Sequence, residues 1–257
     1  MSFNIEVEGG KSVRLPTAGK YCDRDIVVTA TGGGGGSYDQ GYADGKQDEY
    51  DRFWDVYQDN GNRTDYRCAF GGFGWTDETF RPKHKIQPVQ ANNMFFYCQT
   101  TDMKKTLADC GVTLDLSKCT EFTHWFSYCA SSTLGVVDTT SAVNLQYLFA
   151  QRNYLVSIDC VILRNDGSQT GLSTAFQELR ELENVHFEGE FGESVSFARS
   201  SKLSMESVDD IIAHLRDYMY HDDAGRGTTL TLHKDVGAKL TDDELRIAWD
   251  KNWSVVY

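Results

Sequence analysis

Basic residues are scarce in this chain and form no block that offsets its acids: 25 Lys and Arg stand against 38 Asp and Glu, for a formal charge of −13. Phosphate backbones are held by grouped cations, so no nucleic-acid partner is expected, and the acidity reads as solubility. Long apolar runs are also missing. No stretch approaches the roughly 18–20 uninterrupted apolar residues of a membrane helix, so no membrane insertion is expected. The opening MSFNIEVEGGKSVRL lacks a basic start followed by an apolar core, and no signal peptide is expected. The chain is expected to stay in the cytoplasm or to leave it only inside a larger particle.

Several chemistries lack their motifs. The seven cysteines form no C-x-x-C pair, which removes the usual zinc and redox spacings. Free, mostly buried thiols are the expectation, with no metal and no cofactor. There is no G-x-S-x-G. Residues 41–46 (GYADGK) are too short for a phosphate loop and lack its hydroxyl. His221, Asp222 and Asp223 have no second ligand cluster and read as a loop. Residues 165–168 (NDGS) hold too few carboxylates for a calcium loop and read as a turn. Cys119 and Cys129 fall where a repeat calls for small apolar side chains. No catalytic residue is assigned.

What is present divides the chain. Phe3, Ile5 and Val7 alternate with polar residues, Val13 and Leu15 do the same, and Ile26 to Val28 form a third apolar run. Residues 1–31 thus read as a β unit, too small to be stable alone, and as an attachment segment. The glycine run of residues 32–37 is a linker. Residues 38–60 read as a helix with an aromatic side made by Tyr42, Tyr50, Phe53, Trp54 and Tyr57. That side either docks on the following domain or self-associates. Residues 61–90 read as a connector that packs Phe70, Phe73, Trp75 and Phe80 onto the end of the next domain.

Residues 91–190 repeat. Residues 114–126 (LDLSKCTEFTHWF) align with residues 137–149 (VDTTSAVNLQYLF), matching Leu114 to Val137, Cys119 to Ala142, Trp125 to Leu148 and Phe126 to Phe149. A longer offset aligns Phe149 with Phe176, Ile158 with Val185 and Cys160 with Phe187. Coils of this length cannot bury their own apolar faces and do so by stacking. The expected fold is an α/β repeat: a short, irregular leucine-rich-repeat-like solenoid with a small N-terminal β unit, a linker helix and an α/β C-terminal cap at 191–257. Phe96, Phe126, Phe149 and Phe176 are its expected core. Strands are expected at 112–116, 136–138, 160–163 and 185–187, and helical segments near 120–129, 143–150 and 173–179. The cap should hold helices at 203–218 and 241–249, the second opened by a Thr241/Glu244 capping box, and strands at 228–232 and 253–257. Asp115, Asp138, Arg164 and Glu188 should project from the strand face, where repeat proteins often bind.

The Phe-x-x-Cys-like core of each unit (Phe126 with Cys129, Phe149 with Arg152, Phe176 with Leu179), followed by Leu and a short strand, resembles BspA-like leucine-rich repeats, although the repeat length is irregular and most consensus cysteines are absent. LPTAGKYCDRDIVVTA at 15–30, the glycine run, EYDRFWDVYQDNGNRTDY at 49–66 and KLTDDELRIAWDKNW at 239–253 extend this to the leucine-rich-repeat proteins of bacteriophages and prophages. The resemblance implies a non-enzymatic virion protein of the tail or baseplate, with other virion subunits and a host-surface glycan or protein as partners. It also implies a homo-oligomer, with a trimer the usual form for tail-tip fibres. Two alternatives remain open: a decoration protein that touches only neighbouring subunits, and a glycan-active enzyme using a carboxylate such as Glu188.

Overall fold

The computed structural model describes Asn4–Val7, Lys11–Arg14 and residues 64–72, 75–149, 154–219 and 227–257. The glycine linker, the expected aromatic helix with Tyr42, Tyr50, Phe53, Trp54 and Tyr57, the third N-terminal run, Phe73 and His221 to Asp223 lie outside the described residues. Strands β1 (Asn4–Val7) and β2 (Lys11–Arg14) pair antiparallel, with Ile5 opposite Val13.

From Asp65 onward the chain pairs in parallel with its own later segments. The amides of Tyr66, Cys68, Phe70 and Gly72 donate to the carbonyls of Gln90, Asn92, Met94 and Phe96. Those of Ala91, Asn93, Phe95 and Tyr97 donate to Glu121, Thr123, Trp125 and Ser127. Intervening amides close tight turns, as from Ala69 to Tyr66, Met94 to Ala91 and Trp125 to Phe122. Alternate N–H groups therefore serve the local turn and the neighbouring segment, which satisfies both sets of backbone polar groups. This is why residues 123–128 and 146–149, expected as helical, are runs of turns. An α-helix directs its interior amides to its own carbonyls and would leave the neighbour unbonded. The ladder also starts well before residue 91, inside the expected connector.

The turns place Cys68, Asn93, Tyr97, His124, Tyr128 and Tyr147 in left-handed backbone, with φ between 54° and 62°. Such residues cost about 1–3 kcal/mol each and persist where the surroundings over-determine them. Here equivalent rings lie on one another: Tyr97 stacks on Tyr128 at 4.6 Å, and His124 on Tyr147 at 4.9 Å.

Helix α1 (Met103–Asp109) is N-capped by Asp102, whose carboxylate accepts from the Lys105 amide. Strands β3 (Thr133–Asp138), β4 (Ser157–Ile162) and β5 (Asn184–Glu188) form a parallel sheet. Leu134, Val137, Ile158, Val161, Val185 and Phe187 face inward and are buried. The helical segment expected at 173–179 is the short α2 (Leu172–Ala175). The expected 203–218 helix is α3 (Met205–Ala213), N-capped by Ser204, with Val208, Ile211 and Ile212 buried. It lies along the free edge of β5, where Ser207 Oγ accepts from the Val185 amide and Asp210 Oδ2 from the Phe187 amide. Helix side chains thus supply the acceptors that a further strand would have offered. Gly189, at φ +84°, lets the exit from β5 pass against the Leu163 carbonyl, which a Cβ would strike.

Strands β6 (Val195–Phe197), β7 (Thr228–Leu232) and β8 (Trp253–Val256) form a second parallel sheet in that order. Between β7 and β8 run α4 (Lys234–Gly237) and α5 (Asp242–Asp250), the latter opened by the Thr241/Glu244 capping box.

Inside, phenylalanine rings follow one another: Phe70 to Phe95 at 5.5 Å, Phe95 to Phe126 at 5.7 Å, Phe149 to Phe176 at 5.8 Å and Phe176 to Phe197 at 5.2 Å. The bond from the Phe126 amide to the Leu148 carbonyl sets Phe126 in the register of Phe149. The expected core residue Phe96 is a correction. Left-handed Asn93 and Tyr97 turn Phe95 inward, while Phe96 is half-buried and meets Tyr97 and Tyr128 edge-on. Phe126→Ala is therefore expected to lower stability by about 3–5 kcal/mol, and Phe96→Ala by about 1.5 kcal/mol or less, in urea melts followed by far-ultraviolet circular dichroism.

Candidate functional site

The outer face of β4 and β5 carries the densest group of reactive side chains among the described residues. In β4, Ile158 pairs with Val185 and Val161 with Phe187, so Asp159 and Cys160 both stand opposite His186. The internal repeat alignment would have put Cys160 opposite Phe187; this extra residue, a β-bulge, sets the pairing one position later. On β5 the alternation is regular, with Asn184, His186 and Glu188 exposed and Val185 and Phe187 buried. The ligand atoms of Cys160, His186 and Glu188 lie within 4.8 Å of one another.

Helix α3 completes the group. His186 Nδ1 lies 2.8 Å from Asp210 Oδ1, and Asp210 Oδ2 accepts from the Phe187 amide at 2.7 Å. His214 Nδ1 lies 2.8 Å from the Asp210 carbonyl oxygen and 3.7 Å from its carboxylate. Asp159 pairs with Lys104 of α1 at 2.7 Å. Between the sheet and α3 runs an open groove of about 660 Å³ bordered by Asp159, His186, Glu206, Asp209 and Asp210. Burial, and then the negative charges of Glu188, Asp210 and Asp159, push the Cys160 thiol up to about 11. At neutral pH it is protonated and a poor nucleophile. Burial likewise pushes Cys119 up to about 12 and raises Cys129 well above the ordinary thiol value.

The four residues expected on the strand face do not converge. Asp115 ion-pairs with Lys85, and accepts from Gln87 Nε2 at 2.7 Å and from the Ser117 amide and hydroxyl at 3.1 and 2.6 Å. Lys85, followed by the Ser117 hydroxyl, holds its carboxyl at about 2. Asp138 accepts from the Thr140 amide and hydroxyl at 3.0 and 2.6 Å. Arg164 donates to both oxygens of Asp166, which also accepts from the Ser168 amide. These are Asx turns and a local ion pair that shape corners of the chain. Glu188 alone joins the cluster. Cys160, His186, Asp210 and His214 were not among the expected site residues. His186 and Glu188, two apart on a strand, could have been placed on one face by the period of two; the other three could not.

A second groove, bordered by Arg180, Arg199, Lys202 and His233, carries cations already paired. Glu178 meets Arg180 and Arg199, and Glu181 meets Lys202. Among the described residues, Cys98, Cys110, Cys119, Cys129 and Cys160 are free thiols. No described helix is long and apolar enough to cross a membrane. Comparison of the chain with protein-family models, with curated proteins and with solved structures finds no match.

Two outcomes are expected from this electrostatics. Iodoacetamide at pH 8, read by peptide mass spectrometry, should label Cys160 more slowly than the half-exposed Cys110, and Glu188→Gln should speed labelling at Cys160 several-fold. The depressed Asp115 value makes its contribution to stability complete above about pH 4 and lost as the pH falls through about 2. Asp115→Asn should flatten the urea midpoint against pH across that window.

Proposed function

We propose that this chain is a non-enzymatic binding scaffold of a phage particle. In this reading residues 91–190 are an irregular leucine-rich-repeat-like solenoid, extended back to about residue 64 by the same backbone ladder, closed by the cap at 191–257, held by the N-terminal β unit and offering its strand face to a host-surface glycan or protein. The observation that carries it is two runs of fully buried rings, Phe70–Phe95–Phe126 and Phe149–Phe176–Phe197, bridged by Trp125, which meets Phe95 and Phe149, and flanked by parallel backbone ladders. Such an interior is filled with side chains, and binding falls to the outer surface. There the groove between the β3–β5 sheet and α3 offers His186 and a row of hydrogen-bond acceptors. Placement in a virion tail or baseplate, and assembly as a homotrimer through residues 38–60, rest on the resemblance of residues 15–30, 49–66 and 239–253 to phage proteins.

A second reading, contact with neighbouring virion subunits alone, is favoured by one feature. Ile247, Trp249, Val256 and Tyr257 are exposed at the C-terminal end, Trp249 by 75%, beside β8, which has a partner strand on one side. A largely exposed tryptophan beside an edge strand of the described sheet offers a ring and backbone groups to a neighbouring subunit.

The two readings separate experimentally. On the first, fluorescently labelled full-length chain binds cells of the bacterium that hosts the encoding phage, and charge reversal in the groove (Glu206→Arg with Asp209→Arg) reduces binding at least about tenfold, roughly 1.4 kcal/mol. On the second, cells stay unlabelled and Trp249→Ser lowers incorporation into assembled particles. A chain found neither on cells nor in particles would overturn both.

A further inference from the structure

We propose that Cys160, His186 and Glu188 bind a zinc ion on the outer face of the β4–β5 pair. This goes beyond the scaffold reading and does not depend on it. The three side chains offer one sulfur, one nitrogen and one oxygen donor, all within 4.8 Å of one another. Zinc bonds of about 2.0–2.3 Å place the donors of a tetrahedral site roughly 3.3–3.8 Å apart, a contraction that rotation of the exposed His186 and Glu188 side chains supplies. The mixed donor set selects the metal. Calcium and magnesium take oxygen ligands, whereas thiolate with imidazole suits zinc.

The surroundings are those of a metal ligand. Metal-bound imidazoles give their second nitrogen to a carboxylate, which fixes the ring. His186 Nδ1 is 2.8 Å from Asp210, leaving Nε2 as the ligand nitrogen. Asp210 is itself anchored by the Phe187 amide and approached by His214, so the positioning group is held by the backbone of β5. A His186–Asp210 pair by itself would need neither Cys160 nor Glu188 at its side. The charge balance points the same way. Glu188 in the cluster, Asp210 beside His186 and Asp159 in the bulge gather three carboxylates about this face, and a dication there offsets their charge. On binding, a zinc–sulfur bond forms and the Sγ proton leaves to solvent, with no change of oxidation state. Three protein ligands leave a fourth position for water or an external donor.

The test uses the full-length chain, reduced and stripped with a chelator, titrated with zinc chloride against a fluorescent zinc chelator and, separately, with cobalt(II). One equivalent of zinc is expected to bind with Kd below about 1 μM, and cobalt to give a thiolate-to-metal charge-transfer band with the intense visible bands of a tetrahedral site. His186→Gln, at an exposed position, should weaken zinc binding at least about 100-fold. Asp210→Asn should weaken it about 10–100-fold while keeping the charge-transfer band, which separates positioning from ligation. Cys160→Ser, checked for folding by circular dichroism, should remove the band. Absence of stoichiometric binding by the reduced chain, or an unchanged affinity in His186→Gln, or an unchanged cobalt spectrum in folded Cys160→Ser, would overturn the proposal.

Discussion

Alternate amide hydrogens along residues 66–72 and 91–97 point at the next segment of the chain instead of their own turn, and much of the remaining structure depends on that. A segment that spends every second N–H on a neighbour cannot be an α-helix, and it holds its shape only while the neighbour is in place. The left-handed Cys68, Asn93, Tyr97, His124, Tyr128 and Tyr147 are a consequence. Their cost is met by the stacking of equivalent rings and by the phenylalanines that the same turns drive inward. Polar and apolar requirements are satisfied by one geometry, which the proposed solenoid repeats along its axis.

Where a helix replaces a strand, side chains take over. Helix α3 has no free backbone acceptors to give β5, and Ser207 and Asp210 provide them. This substitution is also what brings a carboxylate to His186. The bulge at Asp159 and Cys160 gives His186 two partners on β4. The cluster of three possible metal ligands on the described surface therefore arises at two local departures from regular strand stacking, a pattern common at functional sites.

The sequence was legible where apolar period and capping chemistry act locally. Strand β7 and the Thr241 cap follow from neighbouring residues, and the pairing of Ile158 with Val185 follows from the internal repeat. The helices expected near 120–129 and 143–150 could not be corrected from sequence, because turns and helices place apolar residues at similar spacings and differ in where the amides point. Phe95 and Phe96 are adjacent and chemically identical, so only the φ of Asn93 and Tyr97 decides which is buried. Of the strand-face residues, Asp115 and Asp138 are followed two positions later by Ser117 and Thr140, an Asx-turn signature that competes with any binding role. Cys160 and His186 come together through strand register and a bulge, which the sequence does not encode at a fixed spacing.

The dependence of each segment on its neighbours can be measured directly by native-state hydrogen exchange on Phe126→Ala in the full chain. If neighbouring segments hold one another, protection falls at the amides of Ala91, Asn93, Phe95 and Tyr97, which donate to the altered segment, while β7 and β8 keep theirs. Loss of protection confined to residues 123–128, with those four amides unchanged, would contradict the account.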